Sequence, residues 1–377
     1  MFSSFVNIAE LTEIANKDNV AGRILSMNIG KNNITGVIAI EEKFAFVYCD
    51  LEIYNTMQFH RGDIIYFVPS IVTFGLKNLI NIQNIIKMVV CKGVLPNGQL
   101  NSRNQDESII KAMFDPETFK VLQLQAQAIT VLRKTLYDAN YLEISTPILY
   151  QYPSLNPAPA FTVSTVNNKK LYLRTIQENM LKPYLMIGFK RIFELGKVFR
   201  NIQYDANFDC EFQNLDIFST EITMQELVEL CISLVTKSAK VFGQTNISVI
   251  KKPHREICSV SDNNEFKRVI RQEYSDCLLI ITEYPRKDKR VLPTENNEDY
   301  GQEFHSFLYG RSFAHGYLLS SPQSTNFSGQ DNSDFMGKYN EYGMYNFGGL
   351  GIGVEKLLQS FCKEDDFKKI QFYRRKY

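Results

Sequence analysis

The sequence predicts an α+β protein in which a small N-terminal β-barrel is followed by a larger domain built on an antiparallel sheet. Three observations lead to this prediction. Five short β-type runs crowd into residues 18–95. Beyond them, strand-like runs outnumber helical ones. They also do not alternate regularly with helices, which argues against repeated βαβ units and a parallel sheet.

The N-terminal runs are separated by turn-forming stretches, GKNN and HRGD. Five strands in so short a segment are typical of an OB-fold barrel. Residues 18–95 are therefore predicted to form this domain, the polar residues 96–114 a linker, and residues 115–377 the second domain. The five runs are AGRILSMNIG, TGVIAIE, KFAFVYC, DIIYFVPSIV and NLINIQNIIKMVV.

The second domain opens with a helix signal. Asp115 suits an N-cap, Pro116 the first helical position, and apolar residues recur at helical spacing as far as Tyr137. A second helix is predicted over Met224 to Phe242. The last run, GGLGIGVEKLLQSF, is a glycine-spaced strand leading into a helix. Its glycines favour close packing of the sheet, and their context does not fit a dinucleotide-binding fingerprint.

Composition indicates an ordinary globular chain of 377 residues with net charge +1 and 44% hydrophobic residues. No apolar run reaches the roughly 18 residues of a membrane helix. Seven cysteines without a CxxC pair indicate reduced thiols and an intracellular location, cytoplasmic or mitochondrial. The basic stretches KNLINIQNIIKMVVCK and KKIQFYRRKY are either local nucleic-acid patches or solvated surface.

Three stretches in order, YLEISTPIL, FELGKVFRN with EFQNLDIF, and GGLGIGVEKL, resemble the three motifs of class II aminoacyl-tRNA synthetases of the lysyl, aspartyl and asparaginyl group. The segment KLYLRTIQENMLKPYLMIGFKRIFELGKVFRN is most similar to the lysyl enzymes. The barrel resembles the anticodon-binding domain of the group, so the resemblance covers about residues 18–376. It implies formation of an aminoacyl adenylate from ATP, with arginine and Mg²⁺ neutralising phosphate charge, followed by transfer to tRNA.

The resemblance also implies roles for individual residues. Catalytic roles fall to Arg200, as the phosphate contact, and to Glu355 of the third motif. The other implied roles are adenine stacking by Phe212, ATP binding by Lys356 in place of an arginine, binding of the α-amine by Glu178, and a dimer interface at Pro147.

At other positions the chain departs from the pattern of the family. Ile202 replaces an acid after FRN, and Phe208-Asp209 replace a His-Asn pair. Such changes lie at positions that the resemblance assigns to the reaction. Side chains without carboxylates bind Mg²⁺ poorly, and burying a lysine ammonium without a partner costs several kcal/mol of binding free energy. The remaining departures are His305 and Ser312 for the metal-binding acids, Leu319 for the acid that reads the lysine side chain, His315 for an asparagine, Phe218 for a tyrosine, Ile34 for an aromatic residue that stacks on an anticodon base, and Met27-Asn28 for an arginine.

These departures lead to three functional hypotheses. In the first, the chain has lost aminoacylation and needs neither cofactor nor metal. It would then be a structural or nucleic-acid-binding subunit of a larger assembly, forming a homodimer or heteromer through the face at Pro147 and contacting RNA or tRNA through the barrel. In the second, it is a divergent but active lysyl- or aspartyl-tRNA ligase using ATP and Mg²⁺. In the third, it transfers an adenylate to another acceptor.

Several of the same residues also have simpler structural explanations. Arg200 can pair with Glu211 across a hairpin, and Glu178 with Lys182 at i,i+4 spacing in a helix. His305 and His315 lie ten residues apart with no third ligand evident in the sequence, so no metal site is predicted there.

Overall fold

The computed structural model describes residues 5–92, 113, 115–153, 158–202, 209–257, 263–288, 290–320 and 345–364. The predicted linker, residues 96–114, lies outside these ranges except for Met113, and so does Phe208. The chain forms two compact units that divide between Gln123 and Leu124. The described residues include no helix long and apolar enough to cross a membrane.

The first unit contains the predicted five-stranded closed barrel, with strand order β1-β2-β3-β5-β4. Its inward-facing aliphatic and aromatic side chains, among them Ile24, Ile38 and Phe67, are completely buried. Two helices that the sequence patterns did not predict also belong to this unit. The elements are α1 (Ile8–Ala15), β1 (Val20–Ile29), β2 (Asn33–Ile40), β3 (Lys43–Asp50), α2 (Leu51–Met57), β4 (Ile64–Phe74) and β5 (Lys77–Val89).

One sequence-based expectation about the barrel is wrong. Ile34 is only 2% exposed and lies in the barrel core, so it is not a surface position from which an aromatic residue would be missing. The outward-facing aromatic residues of the barrel include Phe46, Tyr48 and Phe74. The rings of Tyr48 and Phe74 lie 5.7 Å apart, and the ammonium of Lys77 lies 5.1 Å from the ring centre of Phe46.

The second unit is built on a nine-stranded sheet. Its order is β12-β13-β15-β16-β17-β11-β10-β6, with β14 paired to β15. The central pairings are antiparallel, as predicted, and the pairs β12–β13 and β10–β6 at the two ends are parallel. The strands are β6 (Leu142–Glu143), β10 (Arg191–Phe199), β11 (Glu211–Thr220), β12 (Ser248–Pro253), β13 (Cys277–Pro285), β14 (Pro293–Thr294), β15 (Asn297–Leu308), β16 (Arg311–Leu319) and β17 (Phe347–Gly353).

The remaining elements among the described residues are a small sheet of order β7-β9-β8 and six helices. The three predicted helices are present, and the second begins at a capping box formed by Thr223 and Glu226. These elements are β7 (Leu149–Tyr150), β8 (Thr162–Ser164), β9 (Lys170–Leu173), α3 (Pro116–Asp138), α4 (Glu178–Met186), α5 (Met224–Val241), α6 (His254–Ile257), α7 (Asn263–Glu273) and α8 (Val354–Cys362).

A buried ion-pair network holds the segment that carries Pro147. Arg174, 2% exposed, donates from Nη1 to Glu194 Oε1 at 2.7 Å and to Thr146 Oγ1 at 3.0 Å. The Thr146 hydroxyl in turn donates to Glu194 Oε2 at 2.6 Å, and the backbone N–H of Arg174 donates to the carbonyl of Ile148 at 3.0 Å. Pro147 therefore lies between two residues that are fastened to the same arginine.

Candidate active site

Arg200, Phe212, Glu355 and Lys356, which are far apart in the sequence, line one cavity of about 220 Å³. Arg200 follows the end of β10, and Phe212 pairs with Val198 near the start of β11. Glu355 and Lys356 lie in the first turn of α8, directly after β17. The antiparallel pairing of β11 with β10 and β17 brings the second and third sequence motifs together here.

Arg200 is positioned to receive an anion. Its guanidinium carbon lies 5.1 Å from the ring centre of Phe212, and its buried Nε has no hydrogen-bond partner among the described residues. Burial lowers the pKa of Arg200, an effect that the charge of Asp216 opposes. Glu211, the alternative partner, lies 3.7 Å from Lys197 Nζ. The described contacts of Arg200 therefore do not include the expected pair across the hairpin.

The two third-motif residues differ in what they contact. Both carboxylate oxygens of Glu355 accept from the backbone N–H of Gln213, at 2.8 and 2.9 Å, which fastens α8 to β11. Burial raises the pKa of Glu355 although Lys197 lies near it. Burial and the neighbouring charge of Arg200 lower the pKa of Lys356. Arg200 and Lys356 give this cavity, which Asp209 and Glu355 also line, two cations that can bind a negatively charged ligand.

A second cavity, of about 700 Å³, adjoins the first, since His305 and His315 line both. Three of the four histidines of the chain line this larger cavity, His254 being the third. Leu319 lies on its wall, where the resemblance implies an acid for the lysine side chain. Phe218, at the position of the expected tyrosine, is buried in the neighbouring core.

Glu178 forms the ion pair with Lys182 that its helical spacing predicted. The hydroxyl of Tyr317 also contacts the Glu178 carboxylate. Burial opposes ionisation of Glu178, but the charge and hydrogen bond of Lys182 outweigh it and lower the pKa. The carboxylate that the resemblance assigns to an α-amine is therefore ionised and already neutralised by a cation of the same helix.

Asp216 is a site residue that the sequence interpretation missed. It is 7% exposed, it accepts from Asn214 Nδ2 at 2.7 Å, and it pairs across the sheet with Gly351, where a Cβ atom would lie 3.2 Å from its Oδ1. Burial, reinforced by the charge of Glu178, raises the pKa of Asp216 to about 7. The signal in the sequence was an acid in the middle of the apolar run NLDIF.

Replacing Asp216 with asparagine is expected to flatten the dependence of stability on pH. The unfolded carboxyl ionises near its ordinary pKa of 3.8 and the folded one only near 7. Stability is therefore highest below the lower value and falls as pH rises to the upper one. Denaturant unfolding at pH 5 and pH 8 should show a wild-type loss larger than that of Asp216→Asn by on the order of 1 kcal/mol or more. Equal losses in the two proteins would contradict the burial of an ionisable Asp216.

His305, at a position where the resemblance implies a metal-binding acid, belongs to a different donor set. Glu303 Oε1 lies 3.2 Å from His305 Nε2 and 2.8 Å from His315 Nε2, so the fold supplies the third group that the sequence did not reveal. Burial alone would raise the pKa of Glu303, but the two histidines lower it to about 2. Burial lowers the pKa of His305. Because Mg²⁺ requires several oxygen ligands, this set, with Ser312 in the adjoining cavity, does not fit it.

Comparison with known families decides the affiliation of the chain. The family described as tRNA synthetases class II (D, K and N) matches residues 102–376, which include every residue of both cavities. The chain belongs to this family. The antiparallel sheet and the sequence motifs converging on the smaller cavity are therefore those of the class II synthetases.

Lysine–tRNA ligases are among the similar members of the family. The enzyme of Buchnera aphidicola is 24% identical over 451 residues, covering 97% of this chain and 87% of that protein. The mitochondrial enzyme of Saccharomyces cerevisiae is 31% identical over 210 residues, covering 53% and 36%. The enzyme of Saccharolobus solfataricus is 24% identical over 321 residues, covering 68% and 65%. This chain thus spans less than two thirds of the latter two relatives.

Proposed function

We propose that this chain is a lysyl-tRNA synthetase-like protein that retains a nucleotide cavity but no longer activates lysine with ATP and Mg²⁺. One observation carries the proposal: the three carboxylates lining the larger cavity already have cationic or imidazole partners of the chain itself. Glu178 pairs with Lys182, Asp288 with Arg290 at 2.6 Å, and Glu303 with two histidines.

A lysine substrate would enter this cavity with an ammonium group that needs an acceptor. Leu319 offers none, and the partnered carboxylates would have to break their own contacts to provide one. An ammonium buried without a partner costs several kcal/mol, so binding would be lost before any chemistry begins. Amino-acid activation would therefore be lost without any change in the fold.

The smaller cavity supports a retained affinity for nucleotides. Arg200 and Lys356 present two positive charges, and Phe212 offers an aromatic face beside them. A purine stacked on that ring with its phosphates on the two cations would satisfy the buried Arg200 Nε. ATP is therefore the proposed ligand of this cavity, without the metal that the family uses.

The barrel is proposed to contact RNA, including tRNA, as a domain of residues 18–95 connected through residues 96–114 to residues 115–377. Its outward-facing Tyr48 and Phe74 could each stack on a base, a contact worth roughly 1–3 kcal/mol. The ring of Phe46 already stacks on that of Phe5, with the centroids 4.5 Å apart. Lys77 beside Phe46 adds a charge for the phosphate backbone.

The segment at Pro147 is proposed to bind a second copy or another protein. Ile148 and Leu149, which follow the proline, are 43% and 46% exposed, and Leu142 in β6 is 55% exposed, so this segment carries apolar side chains at the surface. With such a face and the RNA-binding barrel, the chain would act as a structural or RNA-binding subunit of a larger assembly.

An active lysine–tRNA ligase is the second candidate function. Glu178 lines the larger cavity, and the buried Asp216 pairs with Gly351 of the smaller one. Arg200 and Phe212 occupy the positions to which the resemblance assigns ATP binding. Lysine-dependent exchange of pyrophosphate into ATP separates the two candidates. We expect no exchange from a chain that still binds ATP.

A further inference from the structure

We propose that Glu303, His305 and His315 form a binding site for a borderline divalent transition-metal ion, and that zinc is the ion that suits it best. His305 stands where the family has a metal-binding acid, but the other two ligands lie at positions to which the resemblance assigns no metal. The site requires neither ATP nor lysine, and it does not depend on the proposed function.

The sheet itself brings the three ligands together. Glu303 and His305 are two residues apart on β15, so their side chains point to the same face. His315 is the direct cross-strand partner of His305 on β16. Side chains opposite one another in an antiparallel pair lie about 5 Å apart at Cβ. Three potential ligands are thus held by two hydrogen-bonded strands, a more rigid support than a loop.

The distances suit a small ion. Zinc binds imidazole nitrogen and carboxylate oxygen at about 2.0–2.2 Å, so ligand atoms around a tetrahedral ion lie about 3.3 Å apart. Glu303 Oε1 lies 2.8 and 3.2 Å from the two Nε2 atoms, and all three ligand atoms lie within 4.8 Å of one another. Small shifts would therefore open a pocket for the ion between them.

The orientation of the histidines favours a shared ion. Their rings are stacked, with centres 4.3 Å apart and an angle of 22° between planes, and both Nε2 atoms meet the same carboxylate oxygen. Two imidazoles and one carboxylate match the preferences of zinc, cobalt and nickel and not those of magnesium. The cavity of about 700 Å³ beside them leaves a fourth position open to water, as in zinc sites with three protein ligands.

The test uses the full chain, stripped of metal with a chelator and then titrated with Co²⁺ or Zn²⁺ alone. We expect one equivalent of Co²⁺ to bind with the visible absorption of a four- or five-coordinate ion, and Zn²⁺ to displace it. Mg²⁺ at the same concentration should not displace the bound Co²⁺. A chain that binds no equivalent of either ion, or that binds Mg²⁺ equally well, would overturn the proposal.

Variants identify the ligands. His315→Asn and His305→Gln should each weaken Zn²⁺ binding more than about 100-fold, since even partners outside a metal's ligand shell contribute 10- to 100-fold. His254→Asn, in the same cavity, and His60→Asn, in the barrel, should leave the affinity unchanged. Unchanged affinity in both ligand variants would show that the ion binds elsewhere.

A spectroscopic measurement on the wild-type chain identifies the ligands without requiring that any variant folds. X-ray absorption at the zinc edge should show nitrogen and oxygen neighbours with the scattering pattern of two imidazoles. Sulfur neighbours would assign the ion to cysteines and refute the site. Neither measurement contains ATP or lysine, so its outcome is separate from that of pyrophosphate exchange.

Discussion

Replacing Arg174 with methionine is expected to lower the free energy of unfolding by about 3–5 kcal/mol, the cost of leaving a buried charge without its partner. Glu194 would lose the donor at 2.7 Å while remaining 4% exposed. Thr146 would lose the same guanidinium, so the segment carrying Pro147 should loosen as well. Urea unfolding followed by circular dichroism measures the loss, and hydrogen exchange at residues 145–149 measures the loosening.

A matched variant controls for the removal of an arginine as such. Arg133 pairs with Glu143 at 3.0 Å, but both side chains are partly exposed. Arg133→Met should therefore cost about 1 kcal/mol or less. The double variant Arg174→Met with Glu194→Leu should recover most of the stability, because no buried charge is then unpaired. A loss from Arg174→Met no larger than that from Arg133→Met would show that the network does not hold this region.

Replacing Arg200 with methionine is expected to weaken ATP binding by about 10- to 100-fold, as a charged hydrogen bond to phosphate contributes about 1.5–3 kcal/mol. The guanidinium packs on Phe212, and its Nε has no partner among the described residues, so a phosphate would be its main polar contact. Calorimetric titration with ATP in the absence of Mg²⁺ measures the change directly.

The control for Arg200 lies on the strand that precedes it. Arg191 begins β10, is exposed, and donates to the carbonyl of Ala139 at 3.2 Å. Arg191→Met removes the same charge from the chain outside the cavity and should leave ATP affinity unchanged. Equal affinity in Arg200→Met and the wild type would refute the nucleotide cavity, as would a wild-type chain that releases no heat at millimolar ATP.

Local patterns in the sequence were sufficient to predict the barrel and the two long helices. Strand alternation, the turn residues and the Asp115-Pro116 start each depend on neighbours in the chain. The gathering of Arg200, Phe212 and Lys356 into one cavity was implied by the family motifs and is present in the fold. That gathering depends on strand order, which the resemblance supplied and periodicity alone could not.

The predictions from the sequence are wrong or incomplete where contacts between residues depend on cross-strand register. Ile34 faces the barrel core because of its position in β2. The turn residues before it in the sequence do not determine which face of the strand its side chain lies on. Glu303 joins the two histidines only because β15 and β16 pair His305 with His315. Asp216 was overlooked because its burial depends on Gly351 in β17, which is remote in the sequence.

Lysine-dependent exchange of labelled pyrophosphate into ATP shows whether the chain still activates lysine, because it reports adenylate formation without requiring a tRNA. The chain should first be shown by calorimetry to bind ATP, so that a negative result cannot come from misfolding. With ATP, Mg²⁺ and lysine present, we predict no exchange above that measured without lysine. Exchange that depends on lysine and disappears in Arg200→Met would contradict the account and identify the chain as an active ligase.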